Sequence, residues 1–147
     1  MKKTTFNTIT KNIFLGILVI LITSSFTSCA KKIAFQTSTI VPAARGDVKI
    51  AKDNNKNYLV EIKVENLAEV GRLESSKNAY VVWMETEDSM VKNIGQIKSD
   101  SNFLSSKLKA TFETVTPLKP TKIFITAEKD SEIQYPDSKV ILSTRSF

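Results

Sequence analysis

Histidine is absent from this chain and cysteine occurs once. Without histidine there is no side chain that ordinarily titrates near neutrality to act as a general base, and no imidazole to bind a transition metal. The single cysteine, Cys29, is too little for a zinc site, and Ser-His or Cys-His nucleophilic machinery is excluded with the missing histidine. Carboxylates, lysines and tyrosines are the reactive groups that remain. Long runs are missing too. No stretch of Lys or Arg exceeds two residues and no aromatic residues interleave with a basic stripe, so nucleic acid is not an expected partner. The longest N-terminal apolar run, Ile13 to Ile22, has ten residues including one glycine. As a helix it would span about 15 Å, half of a ~30 Å hydrocarbon core, too short for a stable transmembrane anchor.

What is present at the N-terminus is the pattern of an export signal. Lys2, Lys3 and Lys11, with no acid, precede the apolar run, and the small polar stretch Thr23 to Ser28 follows it. The junction Phe26-Thr27-Ser28-Cys29 resembles a bacterial lipobox, in the Ser-rich form with Phe three positions before Cys that is common in the Bacteroidetes. That resemblance implies cleavage after residue 28 and a diacylglycerol thioether on Cys29, usually with a further acyl group on its amine. Two or three chains make a stable anchor where one is marginal. A buried or intermolecularly bridged Cys29 would be the structural alternative, but SSFTSCAKK has neither strand nor helix patterning. Ala30, where aspartate would signal inner-membrane retention, favours the outer membrane by analogy. Lys31 and Lys32, where surface-exported relatives tend to carry acids, favour its periplasmic face.

Removal of residues 1–28 takes three lysines and no acid, leaving 119 residues with 18 basic and 15 acidic side chains, a balance of +3 against +6 for the whole chain. A chain of that length is one domain, able to bury about 65% of its unfolded surface without disulfides. No repeat and no low-complexity stretch is visible, and residues 29–35 are expected to form the lipidated cysteine and a brief tether before a domain over 36–147.

Alternation with period two dominates that domain. Tyr58, Val60, Ile62 and Val64 share one face of a strand whose other face is mostly charged; Leu108, Ala110 and Phe112 repeat the pattern, as do Ile123, Ile125 and Ala127, with Phe124 opposite. The continuous apolar run Ala79 to Met84 predicts a central strand covered on both faces. Weaker strand candidates are Ile33–Val41, Asp47–Lys52, Val91–Lys98 and Lys139–Thr144. Turn signals fall at Asp53–Asn57, Glu87–Ser89, Ser99–Asn102, Pro117–Pro120 and Tyr135–Asp137. Within Asn66–Asn78, Leu67, Val70 and Leu73 recur at spacing three, but Gly71 weakens a helix, and a loop with one buried leucine is expected. The expected fold is all-β, an antiparallel immunoglobulin-like sandwich of seven to eight strands after an N-terminal signal helix.

Four strings, Asn78-Ala79-Tyr80-Val81-Val82-Trp83-Met84, Ile94-Gly95-Gln96-Ile97, Ile125 to Asp130 and Tyr135 to Ser143, together resemble the extracytoplasmic C-terminal domain of anti-sigma-K factors. The resemblance covers roughly residues 45–145 and implies a β-sandwich that senses or docks rather than catalyses. The zinc-binding sigma-factor domain and spanning helix of that family have no counterpart in this sequence, so direct sigma-factor control is not implied.

Candidate site residues follow from these readings. Trp83 and Tyr80 are expected as core residues, Trp83 packing between the sheets, with exposed binding aromatics as the alternative. Glu85, Glu87 and Asp88 at a strand end form a possible ligand or metal loop, and calcium could be held if Asp130 and Glu132 converge on it, although the spacing matches no EF-hand. Solvated turn charge is the plainer reading. Glu85 and Glu113 are a conceivable carboxylate pair for glycoside hydrolysis, but no aromatic platform accompanies them. No catalytic residue, no metal site and no cofactor is expected. The functional expectation is a non-catalytic, lipid-anchored binding or sensing module of the cell envelope with an unidentified envelope protein as partner, and a small-ligand or calcium-binding periplasmic lipoprotein as the alternative.

Overall fold

The computed structural model describes residues 30–73, 76–97 and 109–147, the strand backbone of 98–100, and Lys11 and Ile13. The signal-peptide expectation for residues 1–28 falls almost wholly outside the described residues, as do Cys29 and Leu108. Among the described residues, no helix is long and apolar enough to cross a membrane.

Eight strands follow in order: β1 (Lys31–Ala34), β2 (Arg45–Lys52), β3 (Tyr58–Glu65), β4 (Ala79–Thr86), β5 (Val91–Asp100), β6 (Lys109–Thr116), β7 (Pro120–Glu128) and β8 (Val140–Ser143). One short helix, α1 (Val70–Leu73), lies between β3 and β4. All pairings are antiparallel, in the order β1-β2-β3-β6-β5-β4-β7-β8. That continuous order is folded into two layers, because β5 belongs to both. From Val91 to Ile97 it pairs with β4, and from Lys98 to Asp100 it pairs with β6. The first sheet is thus β1-β2-β3-β6 and the second β5-β4-β7-β8. Setting β1 aside, β2-β3-β6-β5 and β8-β7-β4-β5 reproduce the strand order of an immunoglobulin-like sandwich, with β5 as the strand that switches sheets. The expected fold class is what the chain adopts.

Gly95 precedes the crossing. Its φ is +136°, and a Cβ there would stand 2.7 Å from Phe112 Cε2 on the first sheet. Only glycine meets both conditions without strain. On the far side the layers are joined by Gln36 N–H donating to Ser143 O, which links the segment after β1 to β8.

The alternating residues meet between the layers. Val48, Ile50, Val60, Ile62, Val64 and Ala110 from the first sheet face Tyr80, Val82, Met84, Ile123, Ile125 and Ala127 from the second, all buried in one cluster. Leu67, buried, closes the core from the β3–β4 connection, and the Tyr80 hydroxyl ties that connection down by donating to Ala68 O at 2.8 Å.

Four local expectations change. The segment expected as a tether holds β1, paired with β2 from Lys31 opposite Ile50 to Ala34 opposite Asp47. The strand expected over Ile33–Val41 ends early, because Ser38 Oγ accepts from the N–H groups of Ile40 and Val41 and turns the chain before Pro42. The turn expected from Ser99 is instead strand to Asp100, held by its pairing with β6. Residues 70–73 are one helical turn rather than loop, with Leu67 the buried leucine of that segment.

Candidate functional site

Strand β4 is buried on both faces, as its apolar run predicts, but Trp83 is not between the sheets. Side chains alternate across a strand, so Tyr80, Val82 and Met84 take the inner face and Ala79, Val81 and Trp83 the outer one. Trp83, fully buried, stacks with Phe124 at a centroid distance of 6.3 Å and an interplanar angle of 16°. Together with Ala79 and Val81 they form a second apolar cluster outside the second sheet, against which Ile133 and Val91 pack. What covers them is the β7–β8 connection, residues 129–139.

A polar network holds that connection in place. Trp83 Nε1–H donates to Thr126 Oγ1 at 2.8 Å, and the Thr126 hydroxyl donates to Glu128 Oε1 at 2.7 Å. Glu128, only 1% exposed, also accepts from Asp137 N–H at 3.2 Å and from the Ser138 hydroxyl at 2.6 Å. Lys77 Nζ in turn donates to Ser138 Oγ. At the other side of the connection, Asn93 Nδ2 on β5 donates to Ser131 O at 2.8 Å and Ile133 O at 2.9 Å. Among the described residues no buried side-chain donor or acceptor is left without a partner, as burial demands.

Between β5 and this pinned loop runs a groove of about 420 Å³, lined by Val91 to Gln96 on one side and by Ser131, Glu132, Gln134 and Tyr135 on the other. Tyr135 stands 77% exposed at its rim. Among the described residues, β5 from Val91 to Ile97 has no second strand beside it, so the groove follows a free sheet edge. A broader depression of about 630 Å³ on the first sheet is lined by Lys32, Arg45, Asp47 and Glu65, whose carboxylates are paired, Asp47 with Lys32 and Glu65 with Lys109.

The acidic candidates lie elsewhere. Glu85 ends the outer face of β4 and pairs with Lys122 at 3.8 Å; Glu87, in the β4–β5 turn, pairs closely with Lys119, whose ammonium is held above the usual lysine range by that hydrogen bond. Asp88 is exposed beside them. Asp130 and Glu132 belong to the connection that leaves β7 next to Glu128, opposite Ala79, whereas Glu85 sits opposite Lys122 at the other end of the same ladder. Among the described residues no three acidic side chains gather closely enough to hold a metal ion. Glu113 cannot partner Glu85 either. It sits opposite Glu61 on the outer face of the first sheet, while Glu85 is on the outer face of the second, with both layers between them. Tyr80 is a core residue as expected, and burial pushes its hydroxyl up to about 12.

Missing from the sequence reading were Thr126, Glu128, Ser138, Lys77 and Asn93. One signal was available: Phe124, Thr126 and Glu128 alternate on one face of β7, so that face was never going to be purely solvated. Comparisons with models of known protein families, with curated proteins and with solved structures find no match. Fold and site together define a class: an immunoglobulin-like sandwich whose second sheet carries a loop-covered aromatic cluster and a groove along its free edge.

Proposed function

We propose that this chain is a non-catalytic binding module of the cell envelope, acylated at Cys29, held on the periplasmic face of the outer membrane, and related to the anti-sigma-K C-terminal domain. Its partner is another envelope protein, taken up in the groove between β5 and the Ser131–Tyr135 loop. The observation that carries this reading is Tyr135, an exposed aromatic on a loop fixed from beneath by the Trp83–Thr126–Glu128–Ser138 network. An exposed aromatic carried on a loop already held in place is the chemistry of interface hot spots. Along the edge of β5 the Gly95 N–H is taken by Asn93 Oδ1, and the backbone groups beside it are of the kind that an extended partner segment pairs with. Acyl chains raise the local concentration of such a module toward envelope partners without any further contact.

Two measurements test it. Mass spectrometry of the mature N-terminus after membrane fractionation is expected to find acylated Cys29 in the outer-membrane fraction and to lose it in Cys29→Ser; an unmodified thiol or equal retention of the variant refutes the anchor. Cross-linking in intact cells is expected to give a discrete partner adduct that is lost in Tyr135→Ala and kept in Glu113→Ala. Adducts indifferent to Tyr135 refute the groove.

A further inference from the structure

One end of the sandwich gathers features that the groove does not use. Lys31 opens β1 opposite Ile50, beside the β2–β3 turn at Asp53–Asn57. β6 ends at Thr116 opposite Tyr58, and the chain passes through Pro117–Lys119 to β7, whose first residue pairs with Thr86 just before the β4–β5 turn. Three turns and the entry of the chain therefore share that end. Phe147 closes it, with its N–H donating to Thr121 O and its ring 5.2 Å from Lys31 Nζ. Among the described residues from 30 onward, the exposed large apolar side chains are Ile40, Met90, Val115, Leu118, Tyr135 and Val140, and three of these, Met90, Val115 and Leu118, lie here. Leu118 sits in the middle of the β6–β7 turn, and Met90 closes the β4–β5 turn, its carbonyl accepting from Thr86 N–H. The exposed lysines Lys31, Lys52 and Lys56 stand here with the exposed acids Asp53 and Asp88, and Lys119 neutralises Glu87.

We infer that this end of the domain rests on the bilayer, with Met90 and Leu118 reaching the acyl boundary and Lys31, Lys52 and Lys56 facing lipid phosphates. The inference rests on acylation of Cys29, as proposed above. One residue, Ala30, lies between Cys29 and Lys31, a reach of about 7 Å in extended chain, whereas an eight-residue strand runs about 26 Å. So short a connection holds the Lys31 end near the membrane and leaves the opposite end, with Asn66 to Leu73, a strand length away. Exposed apolar side chains set among a small excess of lysine fit an anionic interface, hydrocarbon below and phosphate above. The acyl chains supply the attachment, and these side chains fix the tilt of the domain upon it.

The test uses the full-length acylated protein in vesicles of phosphatidylethanolamine with a minority of phosphatidylglycerol. An acylated Cys29 has no free thiol, so one introduced cysteine takes a nitroxide label at a single position. Labels at Met90→Cys and Leu118→Cys are expected to lose collisions with an aqueous nickel chelate and gain collisions with oxygen, relative to a label at Glu69→Cys at the far end. Equal nickel access at all three positions in floating vesicles overturns the inference and leaves the anchor standing. Protein that does not float and carries a second label on Cys29 overturns both. Protection of Met90→Cys and Leu118→Cys accompanied by spin–spin broadening overturns it in favour of a second copy covering that end.

Discussion

Thr126→Val is the substitution that isolates the network under the β7–β8 connection. Valine keeps the shape of threonine, so the change removes a hydroxyl and little volume. In the native arrangement that hydroxyl accepts from Trp83 Nε1 at 2.8 Å and donates to Glu128 Oε1 at 2.7 Å, and Thr126 is fully buried. Its loss leaves the buried indole N–H without an acceptor, at about 1–3 kcal/mol, and deprives the buried carboxyl of one donor, at about 1 kcal/mol more. The added methyl offsets up to about 1 kcal/mol through its transfer from water. A net destabilisation of about 2 kcal/mol results, which for a domain of this size lowers Tm by about 8 °C. Trp83 is the chain's one tryptophan, so its fluorescence follows the site directly during thermal denaturation. A double-mutant cycle with Glu128→Gln should return a coupling of about 1 kcal/mol or more, because the two side chains share a hydrogen bond. If Thr126→Val melts within about 2 °C of wild type with unchanged emission, roughly 0.5 kcal/mol, the network does not hold the loop and the reasoning fails.

Other outcomes follow from separate parts of the fold. Tyr80, with its hydroxyl pushed up to about 12 by burial, keeps its proton in the folded chain after the unfolded chain has lost its own near 10. Its contribution to stability is therefore complete below about pH 10 and is lost as the pH rises through about 12, a late step in alkaline denaturation that Tyr80→Phe should abolish. Gly95→Ala meets both a φ of +136° and Phe112 Cε2 at 2.7 Å, so urea denaturation should show a loss of at least about 2 kcal/mol, only part of which Phe112→Leu restores. Calcium should leave the Tm unchanged, because Glu85 and Glu87 are engaged by Lys122 and Lys119; a calcium-dependent rise would revive the ligand-loop reading.

Alternation made most of the architecture legible. The stripes Val60-Ile62-Val64 and Ile123-Ile125-Ala127 are inner-face residues, and the unbroken run Ala79–Met84 marks a strand covered on both sides. That same run concealed where Trp83 points. When every residue is apolar, parity carries no information about which face meets the other sheet, and the answer depends on what the distant residues 129–139 cover. Glu128 was equally opaque. A glutamate at a strand end reads as solvated charge unless Asp137 N–H, the Ser138 hydroxyl and the Thr126 hydroxyl are known to converge on it. Turn signals failed where a partner strand was available: Ser99 and Asp100 have turn chemistry, yet pairing with Ala110 and Lys109 continues β5 through them. The ion pairs of the acidic turn were hidden for a similar reason, since local acid density says nothing about the lysines brought to it by β7 and the turn before it.

The entry of the chain along β1 has a mechanical meaning. Residues 31–34 run parallel to the long axis of the sandwich, and their ladder to β2 lies across that axis. A pull on the chain at Lys31, directed out of that end of the domain, meets the β1–β2 hydrogen bonds side-on. They share the load in shear instead of opening one after another like a zipper. A four-residue strand is a slight element by thermodynamic measure, but in this geometry it is a coupling that resists being drawn out, and a tug on the body of the domain reaches its point of attachment before the fold begins to peel.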